Sequence, residues 1–374
     1  MGINDITLSK GVCGDILILL NLFLDSKDQT ILLYIKRLLN VIISNGIEFG
    51  DLSSGLWVGP FGLLYVLDLL NRNFPYDNEF YILNKGLCEK MTPYLYNRLC
   101  RVFRRRKDYD LDYIFGLSGL FFVIREHSIL SADNKIINKS TSIIRDILTE
   151  GIGKWFVRTQ SKDSFYYNKL LAGKSYMILG YAHGVAGMLS QINLWQDRFE
   201  SIEDRILEDN NAFIERLLSQ IADSGALCKG GAEFIILEGG ENPLEYLEPN
   251  FSWCYGSVGV GNYLHLIRKK EWYTFVETAL VKHLCEIFSR EIIISKVDPC
   301  ICHGISGIIY YLWVYEKNIS KVMLKDMIEC LRATMLHTKM DNFEFLDGLG
   351  GSLLVLNAIS SGNRFVGDEL FGFR

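Results

Sequence analysis

Apolar residues along this chain follow two helical patterns that alternate from end to end. One pattern is a run that is apolar on nearly every side and is opened each time by Gly-x-x-Gly. The other is amphipathic, with apolar residues three and four positions apart. The first glycines of the seven Gly-x-x-Gly sites are Gly11, Gly59, Gly116, Gly184, Gly256, Gly304 and Gly348. Steps of roughly 45 to 70 residues separate them, room for two helices and a variable loop. Amphipathic stretches lie between them at residues 29–46, 134–151, 201–225, 271–290 and 320–337. Asn45-Gly46, Gly151 and Gly225 are stop signals, and Ser201 is the predicted N-cap of its stretch.

A helix that is apolar all round must be buried, and an amphipathic one can cover it. Seven such pairs predict an all-α fold, an α/α toroid with about seven inner and seven outer helices. Glycines three apart share one face of a helix's first turn, where they let inner helices approach closely. Two connections break the pattern. Residues 151–178 are rich in aromatics with short alternations, and residues 226–250 hold Gly230-Gly231, Gly239-Gly240 and two prolines. Both predict loops with short strands over one mouth of the ring. The whole of 1–374 reads as one toroid domain.

Composition narrows the function. Hydrophobic residues make up 49% and charged residues 22%, with a net charge of −5. Such a balance is poor for binding a nucleic-acid backbone. The basic stretch at 101–110 reads as a solvated helix end. No run reaches the ~18 to 20 apolar residues of a membrane span, and residues 15–24 lack the flanks of a secretory signal. The expected location is the cytoplasm. Nine cysteines are too few for a disulfide scaffold, so clustered ones read as metal ligands.

Aligning the seven sites on the first glycine sorts the chemistry into columns. The residue just before it is Lys10, Val58, Phe115, His183, Tyr255, His303 or Asp347. One position earlier stand Cys254 and Cys302, in consecutive repeats. If the ring closes, Cys254, Cys302 and His303 form a three-ligand zinc set with the fourth tetrahedral position open, as catalytic zinc requires. Cys300 lies outside the column and reads as a buried apolar residue. His183 heads the neighbouring repeat, suited to general acid or base work. Tyr255 faces the same cavity, and Asp112 is placed to orient His183. His127, His265, His283 and His337 read as satisfied core or surface side chains.

Ala-His-Gly-x-x-Gly at 182–187, Trp-Cys-Tyr-Gly at 253–256, Cys-His-Gly-x-x-Gly at 302–307 and the terminal Phe-Leu-Asp-Gly-Leu-Gly-Gly resemble the lanthionine synthetase C-like proteins, the LanC cyclases of lanthipeptide biosynthesis. The resemblance covers nearly the whole chain. It implies the same toroid, one zinc ion on Cys254, Cys302 and His303, and active-site roles for His183, Tyr255 and Asp112. It further implies a dehydrated precursor peptide as substrate, with a dehydratase and an exporter as partners. The activity implied is addition of a peptide cysteine to dehydroalanine or dehydrobutyrine, giving thioether rings. Two alternatives stand beside it: addition of glutathione or another thiol to dehydroamino acids, and a non-catalytic peptide-binding module. One departure is visible. The family's arginine four residues before the first zinc cysteine is Asn250 here, and the family's peptide-contacting insert is short.

Overall fold

The computed structural model describes residues 5–44, 55–105, 111–156, 158–159, 175–200, 202–223, 234–236, 250–289, 297–315, 319–338 and 343–373. Seven helices form an inner layer: α1 (Val12–Ser26), α3 (Phe61–Asn73), α5 (Leu117–Glu126), α8 (Val185–Phe199), α10 (Ser257–Leu266), α12 (Ile305–Tyr315) and α14 (Leu349–Ser361). Six long helices cover them: α2 (Gln29–Ser44), α4 (Asn78–Arg105), α6 (Asn134–Glu150), α9 (Asp204–Asp223), α11 (Lys270–Ser289) and α13 (Lys321–His337). A short α7 (Ile152–Phe156) follows α6. Burial separates the layers as the two patterns predict. In α3 every residue from Phe61 to Leu70 is buried, whereas α2 buries only Ile35, Leu39 and Ile42. Each inner helix packs on the next in chain order, and α14 returns to pack on α1.

A second closure lies in the backbone. The turns that precede the inner helices are linked by hydrogen bonds that run right round the ring. Ser9 N donates to Trp57 O, Trp57 N to Ile114 O, and Tyr113 N to Ala182 O. Ala182 N donates to Cys254 O, Cys254 N to Cys302 O, Cys302 N to Leu346 O, and Leu346 N to Ser9 O. Every repeat thus satisfies polar backbone groups that burial would otherwise leave unpaired. Apart from Tyr113, the residues on this ring stand two positions before a first glycine, in the column of Cys254 and Cys302, so both candidate sulfurs hang from adjacent links.

The glycines serve this turn more than the helix–helix contact expected of them. A Cβ on Gly187 would lie 1.8 Å from Tyr181 O, in the turn that leads into its own helix. On Gly259 it would meet Trp253 O at 2.2 Å as well as Tyr181 N of the neighbouring repeat at 2.6 Å. The second glycine therefore lets the turn fold back onto the helix it opens, and neighbour packing is a further demand on the same position.

The two irregular connections contribute β1 (Arg158–Thr159), β2 (Ser175–Ile178) and β3 (Phe234–Ile236). They pair antiparallel in the order β1-β2-β3. The strands expected separately in two loops are thus one small sheet, and β2 leads directly into the turn that carries His183. Helix ends follow their caps: Asp133 accepts from Lys135 N and Ile136 N at the start of α6, and Gly151 takes φ +87° at its end. Helix α9 starts at Asp204, three positions after the predicted N-cap Ser201. Ser201, Asn45, Gly46 and Gly225 lie outside the described residues.

After α14 no seventh outer helix follows among the described residues. The chain instead turns at Gly362 (φ +76°) and ends in a 3-10 turn, Asp368–Phe371, folded into the ring. The Phe371 carbonyl accepts from Trp253 Nε1 at 2.9 Å and Asn262 Nδ2 at 2.8 Å. Its ring packs against Trp57, Trp253 and Phe345, with centroids 5.1 to 5.7 Å away. Trp253 adjoins Cys254, so this 3-10 turn braces the turn that carries Cys254. Phe371→Ala should cost about 3–5 kcal/mol of stability in a denaturant melt. A loss below about 1 kcal/mol would show that the terminal turn is dispensable.

Away from the ring of turns, His127 is buried after α5. Its Nε2 lies 2.9 Å from Asn84 Oδ1, and Ile129 N donates to its Nδ1. Burial lowers its pKa from 6.5 to about 4. The unfolded chain therefore binds an extra proton between those values, and stability rises with pH there. That contribution is complete above pH 6.5 and is lost as pH falls through about 4. His127→Gln should flatten that part of the stability-against-pH curve; an unchanged slope would count against this residue.

Candidate metal centre

The turns before α10 and α12 are built alike. Six residues before the first glycine, Asp298 Oδ1 accepts from Cys300 N at 2.9 Å. At the same position Asn250 Oδ1 accepts from Ser252 N at 2.9 Å and Ser252 Oγ at 2.6 Å. Asp5 does the same for Thr7 N at 2.9 Å in the first repeat. Each is an Asx turn that bends the chain before its helix. Asn250 thus has a turn-building job that a long cation could not do, and its oxygen is committed there rather than to charge stabilisation.

These turns bring Cys254, Cys302 and His303 together, with one ligand atom of each within 4.8 Å of the others. Both cysteines are buried, and the His303 side chain is 47% exposed. The hydrogen bond between the two sulfurs dominates their acidity. It pulls Cys254 down and pushes Cys302 up. Ser252 Oγ, 3.5 Å from the Cys254 sulfur, assists the lowering. His303 Nε2 lies 3.0 Å from Asp298 Oδ2, and that bond raises its pKa to about 11. Asp298 is lowered: burial alone would raise it, and the bonds from His303 and Cys300 outweigh burial.

The donor set fits zinc. Two soft thiolates and a borderline imidazole suit zinc, and three ligands leave a tetrahedral position for a guest. Asp298 on Nε2 leaves Nδ1 as the ligand nitrogen, and a carboxylate behind a ligating histidine fixes its ring and raises its basicity. The sulfurs and the imidazole gather protons in mutual contact, and a divalent cation seated among them would displace those protons. Asp298→Asn should therefore weaken zinc binding by about 10- to 100-fold in a chelator competition. Unchanged affinity would remove Asp298 from the centre.

Cys300 is buried and its sulfur accepts from His303 N at 3.4 Å. With Asp298 and His303 it forms a second group of potential ligand atoms within 4.8 Å. It sits closer to the chemistry than a plain apolar residue, although burial raises its pKa. Asp298 was not among the residues singled out in the sequence. Its signal was there: five of the seven positions six residues before a first glycine are Asp or Asn, namely Asp5, Asp110, Asn250, Asp298 and Asn342.

The neighbouring turn supplies a second cluster. His183 Nδ1 is 3.1 Å from Asp112 Oδ2, and Asp112 is fully buried. The other oxygen of Asp112 accepts from Phe115 N at 2.6 Å and Gly116 N at 3.1 Å. The carboxylate is thus fixed by its own turn and presents one edge to the histidine. The His183 ring stacks on Tyr255 with centroids 4.7 Å apart and planes 20° apart. Tyr255 follows Cys254, so the two clusters meet at one turn. Lys10 brings a cation to the same rim: Nζ is 3.9 Å from Asp347, whose Oδ1 is 3.7 Å from His303 Nδ1.

A closed double ring of helices, with a cysteine–histidine cluster on the turns of its inner layer, defines an α/α toroid. The chain belongs to the lanthionine synthetase C-like protein family, whose model matches residues 2–367. Among solved structures it is similar to nisin cyclase, with a TM-score of 0.72 and 18% identity over 100% of this chain and 93% of that one. That likeness shows the toroid fold. No curated protein matches the chain in sequence.

Proposed function

We propose that this chain is a zinc-dependent cyclase that adds a peptide cysteine to dehydroalanine or dehydrobutyrine, closing lanthionine or methyllanthionine thioether rings. The observation that carries this reading is the meeting of the two clusters. A two-sulfur, one-imidazole centre and a carboxylate-held histidine lie on consecutive turns, joined through Cys254 and Tyr255.

Cys254, Cys302 and His303 would hold the zinc, which when bound favours the thiolate form of a peptide cysteine at neutral pH. The two cysteines bring two negative charges, so a guest sulfur stays nucleophilic. The substrate sulfur adds to the β-carbon of the dehydro residue. The π electrons move to the α-carbon and its carbonyl as an enolate, and a proton must arrive at the α-carbon to end the step. His183 is placed to deliver it. Asp112 holds the Nδ1 proton, which directs Nε2 to the exchange. Tyr255 fixes the plane of the imidazole by stacking. The cysteine's own proton balances the addition, so no oxidant or reductant enters.

The substrate on this reading is a precursor peptide already dehydrated at serine or threonine, with a dehydratase acting before and an exporter after. Thiols must be reduced for the reaction, which places it in the cytoplasm. No described helix is long and apolar enough to cross a membrane. The test is incubation of the zinc-loaded protein with a dehydrated, cysteine-containing peptide, followed by thiol alkylation and mass spectrometry. Alkylatable thiol should disappear at unchanged peptide mass. Full alkylation after prolonged incubation would refute the cyclase. Mass gain of one glutathione on a cysteine-free dehydropeptide would favour intermolecular addition instead.

A further inference from the structure

Beside the centre lies a cleft of about 350 Å³, and Cys254 and His303 are part of its lining. Its remaining surface is mainly apolar. Phe251 precedes the Cys254 turn, Ile305 and Ile308 lie on the first turns of α12, and Ile287 reaches in from the outer helix α11. His283, also on α11, stacks on Phe251 with centroids 3.9 Å apart. Burial lowers its pKa, so the wall it forms is uncharged at neutral pH. The mechanism above uses none of these five side chains.

The volume exceeds what a guest thiol needs, and it begins at the two groups that would face that thiol. A peptide cysteine held at the centre has its adjacent residue within one residue's reach, about 3.8 Å between Cα atoms. We infer that this cleft is a specificity subsite that takes the apolar side chain next to the substrate's reacting cysteine. The inference rests on the cyclase reading for the identity of the substrate. Leucine or phenylalanine fits the apolar walls. A carboxylate would lose its water there and face Asp298 at the rim. The outer helix α11 thereby acquires a part in choosing which cysteine reacts.

The experiment uses short peptides with one cysteine and no dehydro residue, so that binding is read apart from catalysis. The cysteine is flanked by leucine or by aspartate, varied on each side in turn, and Kd is measured calorimetrically on the zinc-loaded protein. One flank should favour leucine by on the order of ten- to a hundredfold. Ile287→Lys, on α11 and outside the centre, should collapse that ratio towards one while leaving zinc content intact. Ile287→Val, which keeps the apolar wall, should retain it. Equal affinities on both flanks, or a ratio unchanged in Ile287→Lys, would overturn the subsite. Leucine preference without ring closure of any dehydrated peptide would overturn the cyclase reading and leave the subsite standing. Ring closure without the preference would do the reverse.

Discussion

Cys302→Ala is expected to lose zinc and ring closure together. One of the three proposed protein ligands disappears, and if three share a total of about 10–16 kcal/mol the loss is roughly a few hundred- to several thousandfold in affinity. Dialysed protein should then carry well under one zinc per chain, and thioether formation should fall to background. The fold should survive. Cys302 joins the ring of turns through its backbone N and O, to Leu346 O and from Trp253 N and Cys254 N, and alanine keeps both atoms. Helicity and thermal midpoint should change little beside the loss of metal. Cys300→Ala is the natural comparison: its sulfur accepts from His303 N, yet it lies outside the Cys254–Cys302–His303 group. Full ring closure in a zinc-free Cys302→Ala protein would refute the proposed role of the metal.

His183→Ala is expected to separate the two clusters. The ligands stay in place, so zinc content should remain near one per chain. The proton delivered to the α-carbon loses its donor, and the rate should fall by about 10²- to 10⁴-fold. The side chain is 13% exposed, and its backbone link to Cys254 O is independent of the imidazole. Unfolding is therefore not the expected outcome. Stereochemistry gives a readout that a structural role would not move. With the directed donor gone, protonation from water should give mixed α-carbon configuration in whatever rings form. A His183→Ala variant that closes rings at the original rate, with one configuration, would assign the proton to another group.

Much of this architecture was legible in the sequence because it repeats. One Gly-x-x-Gly says little, but seven before apolar runs fix the number of inner helices, and Cys254 and Cys302 fall in one column only when the repeats are aligned. What the columns did not reveal was geometry between connections. That β2 and β3 come from different loops and pair with each other depends on contacts across more than one loop. The outer layer was expected to match the inner one in number. Among the described residues six outer helices cover the seven inner ones, and after α14 Phe371 and Phe373 are buried in the ring. Asn250 looked like a lost charge, because the departure from arginine was read alone. Set beside Asp5 and Asp298 it is a turn former, and the rim cation among the described residues is Lys10 of another repeat.

The most direct measurement is zinc K-edge X-ray absorption on the purified protein with one equivalent of zinc. Two sulfur scatterers at about 2.3 Å, one imidazole nitrogen at about 2.0–2.1 Å and one further light atom are expected. On adding a cysteine peptide the light atom should give way to a third sulfur. A shell of nitrogen and oxygen alone, or zinc that does not bind at all, would contradict the account.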